Sequence, residues 1–266
     1  MQWNLLLSSA KPGAWQMALD QVLLERMEVG SINPILRFYT WKPWCITLGN
    51  FQNAVEQVDL AAAKRAGVDV VQRITGGRAV FHAEELTYTI CAPKNVAPWG
   101  KTLGQTYDWV SERLLAGLQG IGFQGDLARG ATGPVDSNSQ RHLVKPPCFS
   151  SASRAEIVWQ GRKLVGSAQR RTKQAFLQHG SIVWGDAHLG LVDLLEFPPE
   201  QKPAIKADLE AHSVSLGQIP GCDTDSNSIT EALVQAFSAH LKLSSWKIPA
   251  DILAEVEKRI KTSSKS

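Results

Sequence analysis

One cysteine stands where a thiol could act as a nucleophile. Cys148 follows a long polar segment and precedes a strand-like run, whereas Cys45 and Cys91 lie inside apolar runs and Cys222 lies in a loop. A free thiol has a pKa of about 8.5, so a nucleophilic cysteine needs a cationic neighbour that favours the thiolate. We interpret Cys45 and Cys91 as small core residues. No C-x-x-C pair is present, which excludes a zinc ribbon and argues against a disulfide framework.

Lys163 is the candidate for that cationic neighbour. It begins a strand-like run that a Gln160-Gly161 turn connects to residues 154–159, the run that follows Cys148. A hairpin would therefore bring the lysine near the thiol. A surface lysine in a hairpin explains the local pattern equally well. Small residues next in the run indicate close approach by a ligand chain; they are Gly166, Ser167 and Ala168.

A second group of polar residues surrounds a glycine pair. Gly76 and Gly77 directly follow a strand-like run, and glycine lets the backbone adopt positive φ and approach a ligand closely. Arg73 and Arg78 flank the pair and could bind a phosphate or a carboxylate, while His82 could transfer a proton or fix a loop. A hairpin turn that carries surface arginines explains the same local pattern, and this alternative interpretation remains open.

The composition is that of a globular protein, and the charge argues against one class of partner. The chain has 266 residues, of which 44% are apolar and 20% are charged, as in ordinary globular proteins. Its net charge of +3 arises from the last nine residues, which hold four basic residues and no acid, so that residues 1–257 carry 24 basic against 25 acidic residues. A body without basic excess argues against nucleic-acid binding. We expect the Lys/Ser segment to be a solvated end.

The sequence carries no signal for targeting or for membrane insertion. The first residues lack the basic region and the long apolar region of a signal peptide. No stretch approaches the roughly 18 uninterrupted apolar residues of a membrane helix. We therefore expect a cytoplasmic protein without a membrane partner.

Helical and strand-like patterns follow one another irregularly along the chain. Helical spacing of apolar residues predicts helices at 14–29, 103–121, 187–195, 228–242 and 250–261. Runs of β-branched and aromatic residues predict strands at 35–40, 45–48, 68–73, 86–91, 155–159, 163–169 and 175–184. Without long βαβ alternation, this order predicts an α+β fold, with mixed β-sheets and helices packed on them. Residues 124–147 show little periodicity, which is typical of a functional loop or of disorder.

Several segments, in this order, resemble one family. They are Arg-Phe-Tyr-Thr-Trp-Lys-Pro (37–43), Leu-Gly-Asn-Phe-Gln (48–52), Arg-x-x-Gly-Gly-Arg-Ala-Val-Phe-His (73–82), Glu-Leu-Thr-Tyr (85–88), Lys-x-x-Gly-Ser-Ala-Gln (163–169) and Gln-His-Gly-Ser-Ile (178–182), preceded by Met17-Ala-Leu-Asp20. Together they are similar to the biotin/lipoate protein ligase superfamily, whose catalytic-domain fold the resemblance implies here. We expect that domain at residues 1–220, with 221–266 as a helical extension packed on it and a basic tail. The part beyond residue 222, about 45 residues, is short for a separate domain.

Two branches of the superfamily differ in their chemistry. Lipoate–protein ligases form a lipoyl-adenylate from ATP, use the lysine that corresponds to Lys163, and usually carry three glycines where this chain has Gly76, Gly77 and Arg78. Octanoyltransferases instead use a Cys–Lys pair and an acyl-thioenzyme, and this chain has Cys148. The sequence most resembles the octanoyl-[acyl-carrier-protein]:protein N-octanoyltransferases of bacteria such as bacilli.

This resemblance implies a set of roles and partners. Cys148 would take the octanoyl group from octanoyl-acyl carrier protein, and a lysine of a lipoyl-domain or glycine-cleavage H-type protein would accept it. Lys163 would stabilise the thiolate and shuttle protons, with no cofactor and no metal. The substrate-binding residues would be Gly76, Gly77, Gly166, Ser167 and Ala168 along an acyl tunnel, His82 at its mouth, and Arg73 or Arg78 beside the acidic carrier protein. An ATP-dependent lipoate–protein ligase, an octanoyl amidotransferase and a pseudo-enzyme that binds partners without turnover stay open as alternatives.

Overall fold

A computed structural model of the chain describes residues 1–94, 96, 98–99, 101–128 and 155–263. No helix within those ranges is both long enough and apolar enough to span a bilayer. The helices are α1 (Gly13–Glu28), α2 (Ala54–Gln57), α3 (Leu60–Arg65), α4 (Leu103–Gln119), α5 (Lys202–His212), α6 (Ser226–Ser238) and α7 (Ala250–Ser263), with 3-10 helices at Asp186–Leu194 and Leu216–Gln218. The strands are β1 (Gln2–Leu7), β2 (Ile35–Tyr39), β3 (Cys45–Leu48), β4 (Asp69–Gln72), β5 (Val80–His82), β6 (Glu85–Pro93), β7 (Asp126–Leu127), β8 (Ile157–Trp159), β9 (Arg162–Lys163), β10 (Val165–Arg171), β11 (Ala175–Val183) and β12 (Lys242–Ser245).

Six strands form the central sheet, in the order β10-β11-β6-β2-β1-β12. β1 is parallel to both of its neighbours, whereas the pairs from β2 to β10 are antiparallel. Helices cover both faces, with α1 and α7 packed on one apolar cluster and α4 and α6 on the other. β6 and β11 are consequently buried along almost their whole length. The mixed sheet with packed helices confirms the predicted α+β fold.

The two long helices next to the site form where the apolar spacing predicts them. α1 buries Leu19, Val22 and Leu23 completely against the sheet, although its buried residues are spread around the helix and not confined to one face. α4 begins with a capping box, in which the Thr102 side chain and the Gln105 side chain satisfy each other's backbone N–H groups. Both helices therefore have fixed positions from which they can hold the strands of the site.

Two smaller sheets and the loop that joins β4 to β5 hold six of the ten predicted site residues, whereas Gly166, Ser167 and Ala168 lie on β10 of the central sheet. One has the order β4-β3-β5, and the connection from β4 to β5 contains the glycine pair. The other has the order β7-β8-β9. Gln160 and Gly161 join β8 to β9 with φ of +50° and +78°, which is the left-handed backbone that a two-residue type I′ turn requires. The predicted hairpin is confirmed, and Val158 lies opposite Lys163.

The later helices depart from their predicted bounds. The predicted helix over 228–242 is too long, because α6 ends at Ser238 and Lys242 begins β12. Pairing with the open edge of β1 overrides the local pattern there. The predicted helix at 187–195 is a 3-10 helix, and α5 has no counterpart in the prediction. Its proline near the N-terminus resembles a helix breaker but is tolerated in a first turn.

The basic C-terminal segment continues α7 as far as Ser263. α7 packs on α1, where Arg259 Nη2 lies 2.6 Å from Glu25 Oε2 and Arg26 Nη2 lies 2.8 Å from Asp251 Oδ2. The Arg259 guanidinium is therefore paired with a carboxylate of a neighbouring helix while it stays 32% exposed.

Candidate functional site

A partly open cavity lies between the central sheet and the sheet formed by β4, β3 and β5. The structure brings together at its wall five of the predicted substrate-binding residues: Arg73, His82, Gly166, Ser167 and Ala168. The other three, Gly76, Gly77 and Arg78, lie in the adjoining loop and are not among the described residues that line this cavity. Within the described ranges, no cluster of three His, Cys, Asp or Glu side chains could hold a metal ion.

The wall formed by β10 and β11 depends on one glycine. Gly180 lies opposite Ser167, and a Cβ atom at Gly180 would come within 2.5 Å of the Gly166 carbonyl oxygen. Behind this wall, the Tyr88 hydroxyl lies 2.7 Å from Ser167 Oγ and accepts a hydrogen bond of 3.0 Å from Gln178 Nε2. Burial raises the pKa of Tyr88 to about 12, so its hydroxyl stays neutral. These contacts hold the small-residue strand in a fixed position beside the cavity.

His82 lines the cavity from within a buried network. Its Nδ1 lies 2.7 Å from Glu85 Oε1, and its Nε2 lies 2.7 Å from Thr47 Oγ1. The ring stacks on Trp41, with 4.1 Å between the ring centroids. Glu85 also accepts hydrogen bonds from Trp41 Nε1 at 3.2 Å and from Thr87 Oγ1 at 2.6 Å. His82 is only 6% exposed, so it forms part of the inner wall rather than a free side chain at an entrance.

Arg73 holds the glycine loop together. Its Nη1 donates to the Thr47 carbonyl at 2.9 Å, and its Nη2 donates to the carbonyls of Gly76 at 3.0 Å and Arg78 at 2.8 Å. Gly77 has a φ of +103°, and a Cβ there would meet Arg73 Nη2 at 2.6 Å. Because Arg73 is only 4% exposed, its guanidinium shapes this loop from the inside and does not present a surface to a carrier protein.

A second buried network reaches the same loop from α1. Asp20 accepts a hydrogen bond of 2.8 Å from Arg37 Nη1, and its Oδ2 lies 3.1 Å from His179 Nδ1. The other ring nitrogen of His179 lies 2.8 Å from Thr75 Oγ1. Burial raises the pKa of Asp20, but the hydrogen bond with His179 and the charge of Arg37 outweigh it and leave that pKa below its usual value. For His179, burial has the opposite sign: it lowers the pKa of the imidazole and outweighs the raising effect of Asp20.

The predicted catalytic lysine has a partner that the sequence did not single out. Lys163 is 3% exposed and Glu156 is 8% exposed, and Lys163 Nζ donates a short hydrogen bond to Glu156 Oε1. The hairpin register accounts for this pair. Val158 lies opposite Lys163, and Glu156 lies two residues before Val158 on the same face. The sequence signal for this pair was an acidic residue, Glu156, two positions before the residue that faces Lys163 across the hairpin.

The cysteines separate into two groups. Cys148, the predicted nucleophile, lies outside the residues that the structure describes. Cys45 and Cys91 are fully buried, and burial raises the pKa of each thiol well above its usual value. Burial also raises the pKa of the partly buried Cys222. A raised pKa disfavours the thiolate, so none of these three described thiols is an activated nucleophile.

Comparisons with known proteins agree with this architecture. The lipoyl protein ligase A/B catalytic domain matches residues 12–238. Octanoyltransferase LipM of Kyrpidia tusciae is 34% identical over 90% of this chain and 87% of its own length, and that of Geobacillus kaustophilus is 34% identical over 96% and 92%. Among solved structures, a bi-partite lipoate protein ligase from Thermoplasma acidophilum has the same fold, with a TM-score of 0.78 and 20% identity over 98% of this chain and 92% of that one. The chain belongs to the lipoyl protein ligase A/B catalytic-domain family.

Proposed function

We propose that this protein is an acyltransferase that moves an octanoyl group onto a lysine of a lipoyl-accepting protein, in protein lipoylation. The observation that carries the proposal is the 34% identity to the octanoyltransferase LipM of Geobacillus kaustophilus over 96% of this chain. The cavity between the two sheets and the buried Lys163–Glu156 pair support the proposal independently.

The proposed reaction consists of two acyl transfers. In the first, the Cys148 thiolate attacks the thioester carbonyl of octanoyl-acyl carrier protein, a new C–S bond forms, and the carrier leaves as a thiolate. In the second, the ε-amine of the acceptor lysine attacks the thioenzyme, an amide C–N bond forms, and the Cys148 thiolate is released. The proton that the amine loses neutralises the carrier thiolate, so charge and atoms balance over the two steps. Covalent catalysis lets two protein substrates react in turn at one site.

Lys163 is the proposed electrostatic partner of that thiolate. An ammonium group near a thiol favours the ionised nucleophile, and a low-dielectric surrounding strengthens this effect. Lys163 is almost fully buried, and Glu156 fixes its ammonium group on β9. The lysine is therefore held in one place before any substrate arrives, which lowers the cost of ordering it during the reaction.

The lining of the cavity is mostly apolar, which suits an alkyl chain. Aromatic and apolar side chains line it together with the small residues of β10, among them Met17, Tyr39 and Trp41. Each methylene removed from water contributes about 0.8 kcal/mol, so burying an octanoyl tail would contribute about 5 kcal/mol to binding. The donor is proposed to be octanoyl-acyl carrier protein, and the acceptor a lipoyl-domain or glycine-cleavage H-type protein.

The test is the intact mass of the full chain after incubation with octanoyl-acyl carrier protein. We expect one octanoyl adduct on the wild type and on Cys222→Ser, which is the matched control, and none on Cys148→Ser. Adding an apo-lipoyl domain should then discharge the adduct and octanoylate the domain.

Three results would overturn the proposal. Persistence of the adduct in Cys148→Ser would refute the thioenzyme. Modification of the apo-domain that requires ATP and free lipoate would identify a ligase instead. Transfer of octanoyl only between carrier proteins would identify an amidotransferase.

A further inference from the structure

A cluster of basic residues surrounds the far end of β10. Residues 166–173 contain three basic residues and no acidic residue. Two more lysines reach this end of the strand from the segment before α4. We name this group the basic surface; its members are Lys94, Lys101, Arg170, Arg171 and Lys173.

Hydrogen bonds to neutral oxygen atoms hold two side chains of the basic surface, those of Arg171 and Lys94. Arg171 donates from Nη2 to the Lys101 carbonyl at 3.0 Å and from Nη1 to Thr106 Oγ1 at 3.1 Å. Lys94 Nζ donates to the Thr172 carbonyl at 2.8 Å. These bonds fix the side chains without cancelling their charge.

One carboxylate lies close to the basic surface. Glu28 accepts hydrogen bonds from the Thr172 hydroxyl and from the backbone N–H groups of Gln174 at 2.9 Å and Ala175 at 3.1 Å. The lone pairs of this acid are thus directed at the turn between β10 and β11. The turn therefore keeps an excess of positive charge, with Arg170 and Lys173 exposed to solvent.

The basic surface is continuous with the cavity wall. β10 is an edge strand of the central sheet, and it runs from the cavity-lining residues to Arg170 and Arg171. Ala168 pairs with His179 and Arg170 pairs with Leu177, so Ala168 and Arg170 share a face of the sheet. Two residues of a strand span about 7 Å. The exposed Arg170 therefore neighbours the cavity-lining Ala168 on the same face of the sheet, about 7 Å along the strand.

We propose that the basic surface docks the acidic carrier protein that delivers the acyl group, an inference that rests on the proposed function. Charge complementarity favours this partner, because the body of the chain has no general basic excess and yet five basic residues lie together at this end of β10. Arg73 and Lys163 cannot take this role, since they are 4% and 3% exposed. A carrier seated on the basic surface would have the cavity wall beside it, within reach of the thioester arm.

The test reverses two exposed charges that touch neither the cavity nor Lys163. Binding of the carrier protein to the full chain is measured by fluorescence anisotropy, and the first acyl transfer is measured by the rate of adduct formation. For Arg170→Glu with Lys173→Glu, we expect binding weakened by about tenfold at low salt, with a matching rise in KM for octanoyl-acyl carrier protein and little change in kcat. Added salt should reduce the difference between the variant and the wild type.

Two controls separate docking from damage. Lys242→Glu with Lys247→Glu reverses two exposed charges at the opposite edge of the same sheet, and it should bind the carrier as the wild type does. A small octanoyl thioester without a carrier protein should acylate both double variants at the wild-type rate.

Three outcomes distinguish the inference from the proposed function. Unchanged carrier binding in the Arg170/Lys173 variant would overturn the docking surface. A defect confined to the transfer onto the lipoyl domain would assign the surface to the acceptor and overturn the inference as stated. Absence of any adduct on the wild type would refute the proposed function, whereas the anisotropy measurement would still decide whether the basic surface binds the carrier.

Discussion

Replacing Glu156 by glutamine removes the negative charge that faces Lys163 while it keeps the size of the side chain. Both partners are nearly inaccessible to water, with 8% and 3% exposure. Removing one partner of a buried ion pair leaves a buried charge poorly compensated and costs about 3–5 kcal/mol. Lys163 has further contacts in the structure. We therefore expect Glu156→Gln to lower the free energy of unfolding by about 3 kcal/mol, at the low end of that range.

The assay is equilibrium unfolding in urea, which reports a change in stability as a shifted midpoint at constant slope. Asp193→Asn is the matched control, because Asp193 Oδ2 lies 4.0 Å from Lys206 Nζ and both side chains are largely exposed, at 64% and 43%. An exposed pair of this kind contributes less than about 1 kcal/mol.

A double-mutant cycle isolates the interaction itself. The double variant Glu156→Gln with Lys163→Gln should lose less stability than the sum of the two single variants, because the second change removes the charge that the first one stranded. A loss in Glu156→Gln no larger than in Asp193→Asn, or additive losses in the cycle, would refute the reasoning. The octanoyl-adduct rate of the same variants then shows whether the position of the lysine also matters for acyl transfer.

Three further predictions concern other contacts of the site. Gly77→Ala should cost about 1–2 kcal/mol of stability, because the φ of Gly77 is +103° and a Cβ there would meet Arg73 Nη2. Gly76→Ala, with open space around its Cβ, should cost less than about 0.5 kcal/mol, and thermal unfolding of both variants measures the difference. The pKa of His179 is lower in the folded chain than its unfolded value of about 6.5, so its contribution to stability is complete above about pH 6.5 and is lost as the pH falls through the folded pKa. His179→Gln should therefore reduce the loss of unfolding free energy between about pH 7 and about pH 5, measured by urea unfolding. An unchanged pH dependence of the unfolding free energy would contradict this prediction. Ala168→Leu fills part of the cavity and should slow transfer of octanoyl more than transfer of a short acyl group, in an assay with carrier proteins of differing chain length; equal slowing would mean that the chain does not lie along β10.

The elements that the sequence predicts well are those whose signal is local. α4 has a clear apolar face, and Gln160-Gly161 is a turn dipeptide between two apolar runs. β12 could not be predicted in this way, because its strand conformation depends on pairing with β1 at the other end of the chain. The helical pattern before it simply continues past Ser238, and only the tertiary partner stops it.

The site shows the same division. The family resemblance predicts that Gly166, Ser167 and Ala168 bind substrate, and these residues do line the cavity. Arg73 looks like a surface residue in its own segment, and only the neighbouring strand β3, with the Thr47 carbonyl, shows that it is buried. The contact between His179 and Asp20 joins residues 159 positions apart, so no local pattern could indicate it.

The position of β1 between β2 and β12 has a consequence for how the chain folds. β2 lies close in sequence, but Gln2 pairs with Lys242, which is 240 residues away. At a synthesis rate of about 5–20 residues per second, the ribosome completes β12 roughly 12–48 s after β1. During that interval one edge of β1 presents unpaired N–H and C=O groups, which are a template for pairing with other chains. The nascent protein therefore carries a risk of aggregation on this edge, and that risk ends only when β12 pairs with β1.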